Sequence, residues 1–341
     1  MRFPFIRYLP ERTNFKFVAV AALMGAISTL LILGSFASMV TGSFRATPWA
    51  IYNEVEGPVG HRVAHVLSEG FNLGVDFKGG TLLEVRSDEP VDLAALRTIV
   101  GGLGIGDVQV QAFGAATSAL VRFEITEAGA DADVARVRAA LAAEAPQVQI
   151  ERTESVSAQV SEELFAGGLM ALGLAILMML IYIWFRFEWQ FGVGAVLGLF
   201  HDVILTLGLF SVFRLEFTLT IVAALLTIIG YGINDTVVVF DRLRENLRKY
   251  KKMPLGEVID LSINETLSRT IMTGVTTLVA LVVIYYLGGE ALSGFALAMI
   301  FGIVVGTYSS VYVAAPAILL WGVKRNRTEP SKGADAAPAT S

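Results

Sequence analysis

The chain contains no cysteine, only three histidines, and few charges: Asp, Glu, Lys and Arg make up 17% of its 341 residues. Without cysteine there can be no disulfide, no thiol catalysis and no cysteine-ligated metal, a composition that suits a segment facing an oxidising compartment. The histidines are read as forming no zinc site. The GxGxxG phosphate fingerprint is absent, and no metal or cofactor is expected. Positive charge is scarce where nucleic acid would need it: residues 41–164 carry 18 acidic against 9 basic side chains, so a nucleic-acid face is excluded.

Apolar residues are plentiful, at 54%, and they are gathered into long runs. A bilayer core about 30 Å thick takes roughly 20 apolar residues per helix. Six spans are expected, at 17–40, 165–185, 191–213, 218–240, 271–288 and 293–320. The first follows Arg2, Arg7, Arg12 and Lys16, but its apolar core exceeds that of a secretory signal, so it reads as a retained helix. Basic residues in short loops stay cytoplasmic. They collect in the 1–16 tail, in the 241–270 loop, which holds seven, and in the 321–341 tail, whereas the loops at 214–217 and 289–292 hold only Arg214. Both termini are therefore expected in the cytoplasm and 41–164 outside, with the C-terminal tail disordered.

Between the first two spans the pattern changes to short alternating runs. Strands are expected at 80–86, 107–113, 118–125 and 147–154, with helices at 91–102, starting near Asp92, and at 131–145, capped by Asp131 and burying Val134, Val137 and Leu141. That βαββαβ order over about 74–155 is ferredoxin-like. The fold class is thus a polytopic α-helical membrane protein with one extracytoplasmic α+β domain. Upstream, GVDFKGGTL offers Asp76 as a local turn-former and Gly79-Gly80 as a turn with positive φ. Trp49 and Tyr52 suggest an interfacial anchor, and 59–69 a short helix.

The polar residues inside the spans need a reason. A central carboxylate costs roughly 2.5–3.5 kcal/mol on insertion scales, and Asp202 stands twelfth in its span, after Gly194 and Gly198 at four-residue spacing. Those glycines let a neighbouring backbone approach. In GYGINDTVVVFDRLREN, Asn234 and Asp235 precede the expected exit of the fourth span, with Asp235 about 9 Å from its end; Asn234 is placed to orient Asp235. Arg269 opens the fifth span one helical turn before Thr273, and it either snorkels to headgroups or reaches inward to Asp235. Thr307, Ser309 and Ser310 are expected to bond their own helix, and Pro316 to kink or end it.

The stretches LGVDFKGGTLLEV, FHDVILTLG, GYGINDTVVVFDRLREN, TLSRTIMTGVTTL and GTYSSVYVAAP, in this order over about 70–320, resemble those of the SecF proteins of the resistance-nodulation-division superfamily. The 41–70 segment is extra length by comparison. The resemblance implies a subunit, not an enzyme, of the bacterial inner membrane. It would work with SecD and the SecYEG channel, and with YajC and YidC, to move unfolded preproteins at the expense of the proton-motive force. It also implies that Asp235 and Arg269 form a proton-relay pair, with His201, Asp202, Asn234 and Thr273 as supporting polar groups. Two other readings compete. One is an intramembrane aspartyl protease using Asp202 and Asp235, disfavoured by their unequal depths. The other is a self-contained proton-coupled exporter of small molecules, disfavoured because six spans without a repeat look like a partnered half.

Overall fold

A computed structural model describes residues 13–54, 65–66, 69–106 and 108–323. Most of the expected N-terminal tail, most of the 59–69 helix and all but the first three residues of the expected C-terminal tail lie outside the described residues.

Among the described residues, six helical segments are long and apolar enough to cross a membrane. They are α1 (Phe17–Val40) and, after the small domain, α6 (Ala158–Arg186), α7 (Trp189–Val212), α8 (Leu219–Lys249), α9 (Leu255–Leu287) and a composite last span. That span runs as α10 (Glu290–Ser309), a π-helical turn (Ser310–Ala314) and α11 (Ala315–Trp321). The π turn precedes Pro316, whose ring would clash with a carbonyl one α-turn back, so the irregularity lets the helix pass the proline. The most apolar window of α7 is 61% buried and that of α6 only 6%, so α7 lies at the centre of the bundle and α6 on its rim.

The expected 241–270 loop is a helical hairpin instead. α8 continues to Lys249 and α9 begins at Leu255, so the polar motif Asp241–Asn246 is helical. Its residues tie the two helices together: Asn246 Nδ2 donates to Ser262 Oγ at 3.0 Å and to Glu265 Oε2 at 2.6 Å, and Arg242 Nε donates to Glu265 at 2.7 Å. Charge that looked like a loop signal is the polar face of this hairpin.

The small domain lies between α1 and α6. After the short helix α2 (Pro48–Glu54), on which Trp49 stacks on Tyr52, come β1 (Asn72–Leu73) and the one-turn helix α3 (Val75–Lys78). The domain proper runs β2 (Gly80–Ser87), α4 (Leu93–Gly101), β3 (Gln109–Phe113), β4 (Ala115–Phe123), α5 (Ala130–Glu144) and β5 (Val148–Val156). Its antiparallel sheet has the order β3-β4-β2-β5, as a ferredoxin-like fold requires. Leu83, Val85, Val121 and Phe123 on one sheet face pack against Leu96 and Val100 of α4 and Val137 and Leu141 of α5. Asp92 caps α4, accepting from Ala94 and Ala95 N–H. Asp131 does not cap α5; it lies within the first turn, and the cap position belongs to Gly129 at φ 90°. Val134 packs on the core only half-buried.

The other sheet face looks toward the bundle and is latched to it. β1 pairs in parallel with β6 (Glu216–Phe217), in the connection between α7 and α8. Arg122 on β4 donates from Nη1 to the Leu73 carbonyl at 2.8 Å and from Nη2 to Glu216 Oε1 at 2.5 Å. Burial pushes the Glu216 carboxyl above its ordinary pKa range, while the Arg122 guanidinium pulls it the other way. Gly79 and Gly80 take φ 73° and 107°, and a Cβ on Gly80 would meet the Phe123 carbonyl oxygen at 2.7 Å. Only glycine fits where the chain enters β2.

Candidate functional site

Two polar sites occur inside the bundle. The first centres on Asp235, which is 4% exposed on α8. Among the described residues no hydrogen bond or ion pair reaches its carboxylate, and the charge acting on it is the Arg269 guanidinium of α9. The Arg269 side chain is exposed, and it acts on Asp235 by charge, without a hydrogen bond or ion pair between them. Asn234 is exposed on α8 and makes no hydrogen bond to Asp235, so it does not orient its neighbour by such a bond. Thr273 gives its hydroxyl proton to carbonyls of its own helix, those of Arg269 and Thr270.

The second site joins α7 to the first and last spans. Asp202 and His201 are 5% and 2% exposed. Asp202 Oδ1 lies 2.9 Å from His201 Nδ1, and its Oδ2 accepts from Ser309 Oγ at 2.9 Å. His201 Nε2 lies 3.2 Å from Ser28 Oγ on α1. Ser28 Oγ is 3.0 Å from the Tyr308 hydroxyl, and the Tyr308 ring stacks on the imidazole. Ser309 thus does more than bond its own helix, although it also contacts the Gly306 carbonyl; Ser310 donates to the Thr307 carbonyl as expected. Glycines make room for this cluster. A Cβ on Gly194 would sit 2.6 Å from the Ala314 carbonyl oxygen, and one on Gly232 or Gly306 would sit 3.1 or 3.4 Å from Asp202 Oδ2.

Sequence reasoning found Asp202 and His201 but missed Ser28 and Tyr308, because serine and tyrosine in an apolar run carry no signal until their partners are known. It also missed Arg122 and Glu216. Asp76 proves to be more than a turn-former: its Oδ2 accepts from the Leu219 N–H at 2.8 Å, which caps the first turn of α8 from another segment. Asp202 and Asp235 do not act on one another, so no carboxylate dyad is assembled.

The comparisons agree with this architecture. Residues 136–324 match the model of the C-terminal region of the SecD/SecF protein-export membrane proteins, and residues 67–91 match the SecD/SecF GG motif, which contains Gly79 and Gly80. The chain is 41% identical to the protein translocase subunit SecF of Cereibacter sphaeroides over 94% of its length and 93% of that protein. It is 42% identical to that of Rhodobacter capsulatus with the same coverage. Among solved structures, it is similar to the translocon-associated membrane protein SecDF of Thermus thermophilus, with a TM-score of 0.76 and 32% identity; the match covers 92% of this chain and 39% of the SecDF chain. By sequence, by the GG motif and by fold, the chain belongs to the SecD/SecF family of protein-export membrane proteins.

Proposed function

We propose that this chain is the SecF-type accessory subunit of the Sec translocation machinery, and that with SecD it draws on the proton-motive force to promote preprotein export across the bacterial inner membrane. The observation that carries the proton coupling is Asp235: a buried carboxylate without a hydrogen-bond partner, acted on by one guanidinium on the neighbouring helix. As an anion it is drawn toward Arg269; as a neutral acid it is released. Proton uptake from one side and loss to the other would therefore change how α8 and α9 pack, in a cycle whose drive is about 2.3 kcal/mol per charge per 100 mV.

In this reading the termini are cytoplasmic and the small domain faces outward, where preproteins emerge. A cavity of about 520 Å³ between its open sheet face, with Leu82, Glu84 and Leu120, and the outer helix ends, with Phe210, Tyr285 and Leu297, is where we place contact with the exported chain. SecYEG, YajC and YidC are the further partners this role implies, and the role requires no enzymatic step and no cofactor. The test is export of a preprotein from membrane vesicles under an imposed proton gradient. Asp235→Asn should assemble normally and lose the gradient-stimulated fraction; undiminished export by that variant would refute the role of Asp235.

A further inference from the structure

The cluster running from Asp202 to α1 is not used by the Asp235 relay, and its protons can be counted. The Tyr308 hydroxyl donates to the Met24 carbonyl oxygen at 2.8 Å, and a carbonyl can only accept. With that proton committed, the 3.0 Å contact between Ser28 Oγ and Tyr308 takes its proton from Ser28. The serine proton is then committed too, so the 3.2 Å contact between His201 Nε2 and Ser28 takes its proton from Nε2–H. One link remains, from Nδ1 to Asp202 Oδ1 at 2.9 Å.

These links in series need one proton each, and Tyr308, Ser28 and a neutral imidazole provide one too few. Ser309 supplies none to the chain, because its hydroxyl is directed at Asp202 Oδ2 and the Gly306 carbonyl. The missing proton must lie between Nδ1 and Oδ1, on the imidazole or on the carboxyl group. Either way the pair carries no net charge, which is the cheap state inside a bilayer.

We infer that the His201–Asp202 pair is a proton-binding site distinct from Asp235, and that its proton sets the direction of the whole hydrogen-bond chain. When that proton leaves, each remaining proton moves back by one link. Nδ1–H donates to the Asp202 carboxylate, Ser28 donates to Nε2, Tyr308 donates to Ser28, and the Met24 carbonyl loses its donor. The bond given up joins α1 to the last span, beside the π turn Ser310–Ala314, an irregularity often found at functional sites. Unloading and reloading the pair would thus loosen and restore a helix contact. Tyr308 is the other titratable group in the hydrogen-bond chain; α8 presents Gly232, Ile229, Ile233 and Thr236 around Asp202 and no charge, and among the described residues His201 is the titratable side chain that acts on Asp202.

The test is ¹⁵N-histidine NMR of the full chain in lipid nanodiscs. His61→Gln and His65→Gln leave His201 as the one remaining imidazole. The loaded state has a protonated Nε2, and raising the pH should convert it to the tautomer with a bare Nε2 and a protonated Nδ1. Asp202→Asn should hold Nε2–H at every pH, because its amide N–H supplies the missing proton permanently. A bare Nε2 throughout would show that the chain runs the other way with no stored proton. An Nε2–H that persists until the protein unfolds would show a proton held for structure alone; either result overturns the inference. If Asp202→Asn fails to fold, the titration with native Asp202 decides.

Discussion

Asp235 and Gly194 show how single atoms decide matters in this bundle. A lone carboxylate in the membrane interior is expensive, and among the described residues no hydrogen bond offsets that cost, which is what the proposed proton-carrying role of Asp235 would account for. Gly194 is the converse case, needed for space alone: a methyl group there would press on the backbone of Ala314, whereas Gly230 has nothing within 4 Å of the same position. Gly194→Ala should lower the thermal midpoint in detergent, with a cost of about 1–3 kcal/mol from overpacking. Gly230→Ala should leave it unchanged or raise it, since alanine is the better helix former. Equal midpoints for the two variants would contradict the close approach of α7 to the π turn.

Two helix starts in this fold are capped from a distance. Neither α1 nor α8 carries a capping side chain of its own at its first turn. Asp260 Oδ1 on α9 accepts from the Val18 N–H of α1 at 2.8 Å, and Asp76 Oδ2 accepts from the Leu219 N–H of α8. Both carboxylates face the positive end of a helix dipole. Asp76→Ala should cost about 1 kcal/mol and speed amide exchange in the first turn of α8, and unchanged exchange there would show that the contact does not hold the helix end. Such caps mark the limit of reading elements from the sequence. The strands and helices of the small domain were legible because alternation and the Asp92 cap are local signals. The role of Asp76 was not, since its partner lies 143 residues away. The 241–270 segment was misread for a related reason: charge density looks the same in a loop and on a solvated helical hairpin.

At the scale of the whole molecule, the small domain and the bundle are joined by the β1–β6 pairing, by the packing of α3 on α6, by the Asp76–Leu219 bond and by the Arg122–Glu216 pair, whose side chains are 10% and 21% exposed. Removing one partner strands the other in a poorly hydrated site. Arg122→Met should therefore destabilise docking by about 3 kcal/mol, the low end for breaking a buried ion pair, and adding Glu216→Leu should recover much of that loss. A double variant as unstable as the sum of the two single variants would contradict the pairing. Six spans and their order were readable from apolar run lengths, but this latch was not. The Arg122 side chain lies on the sheet face away from the domain core, and nothing local in the sequence says what that face meets.

The relay formed by Asp235 and Arg269 is the central claim, and proton flux tests it most directly. With this chain and SecD reconstituted into liposomes enclosing a pH-sensitive dye, an imposed gradient should drive proton entry in the wild type. Asp235→Asn should abolish that entry, and Arg269→Lys should reduce it in part, because the charge stays while the guanidinium geometry is lost. Flux through Asp235→Asn at the wild-type rate would contradict the account.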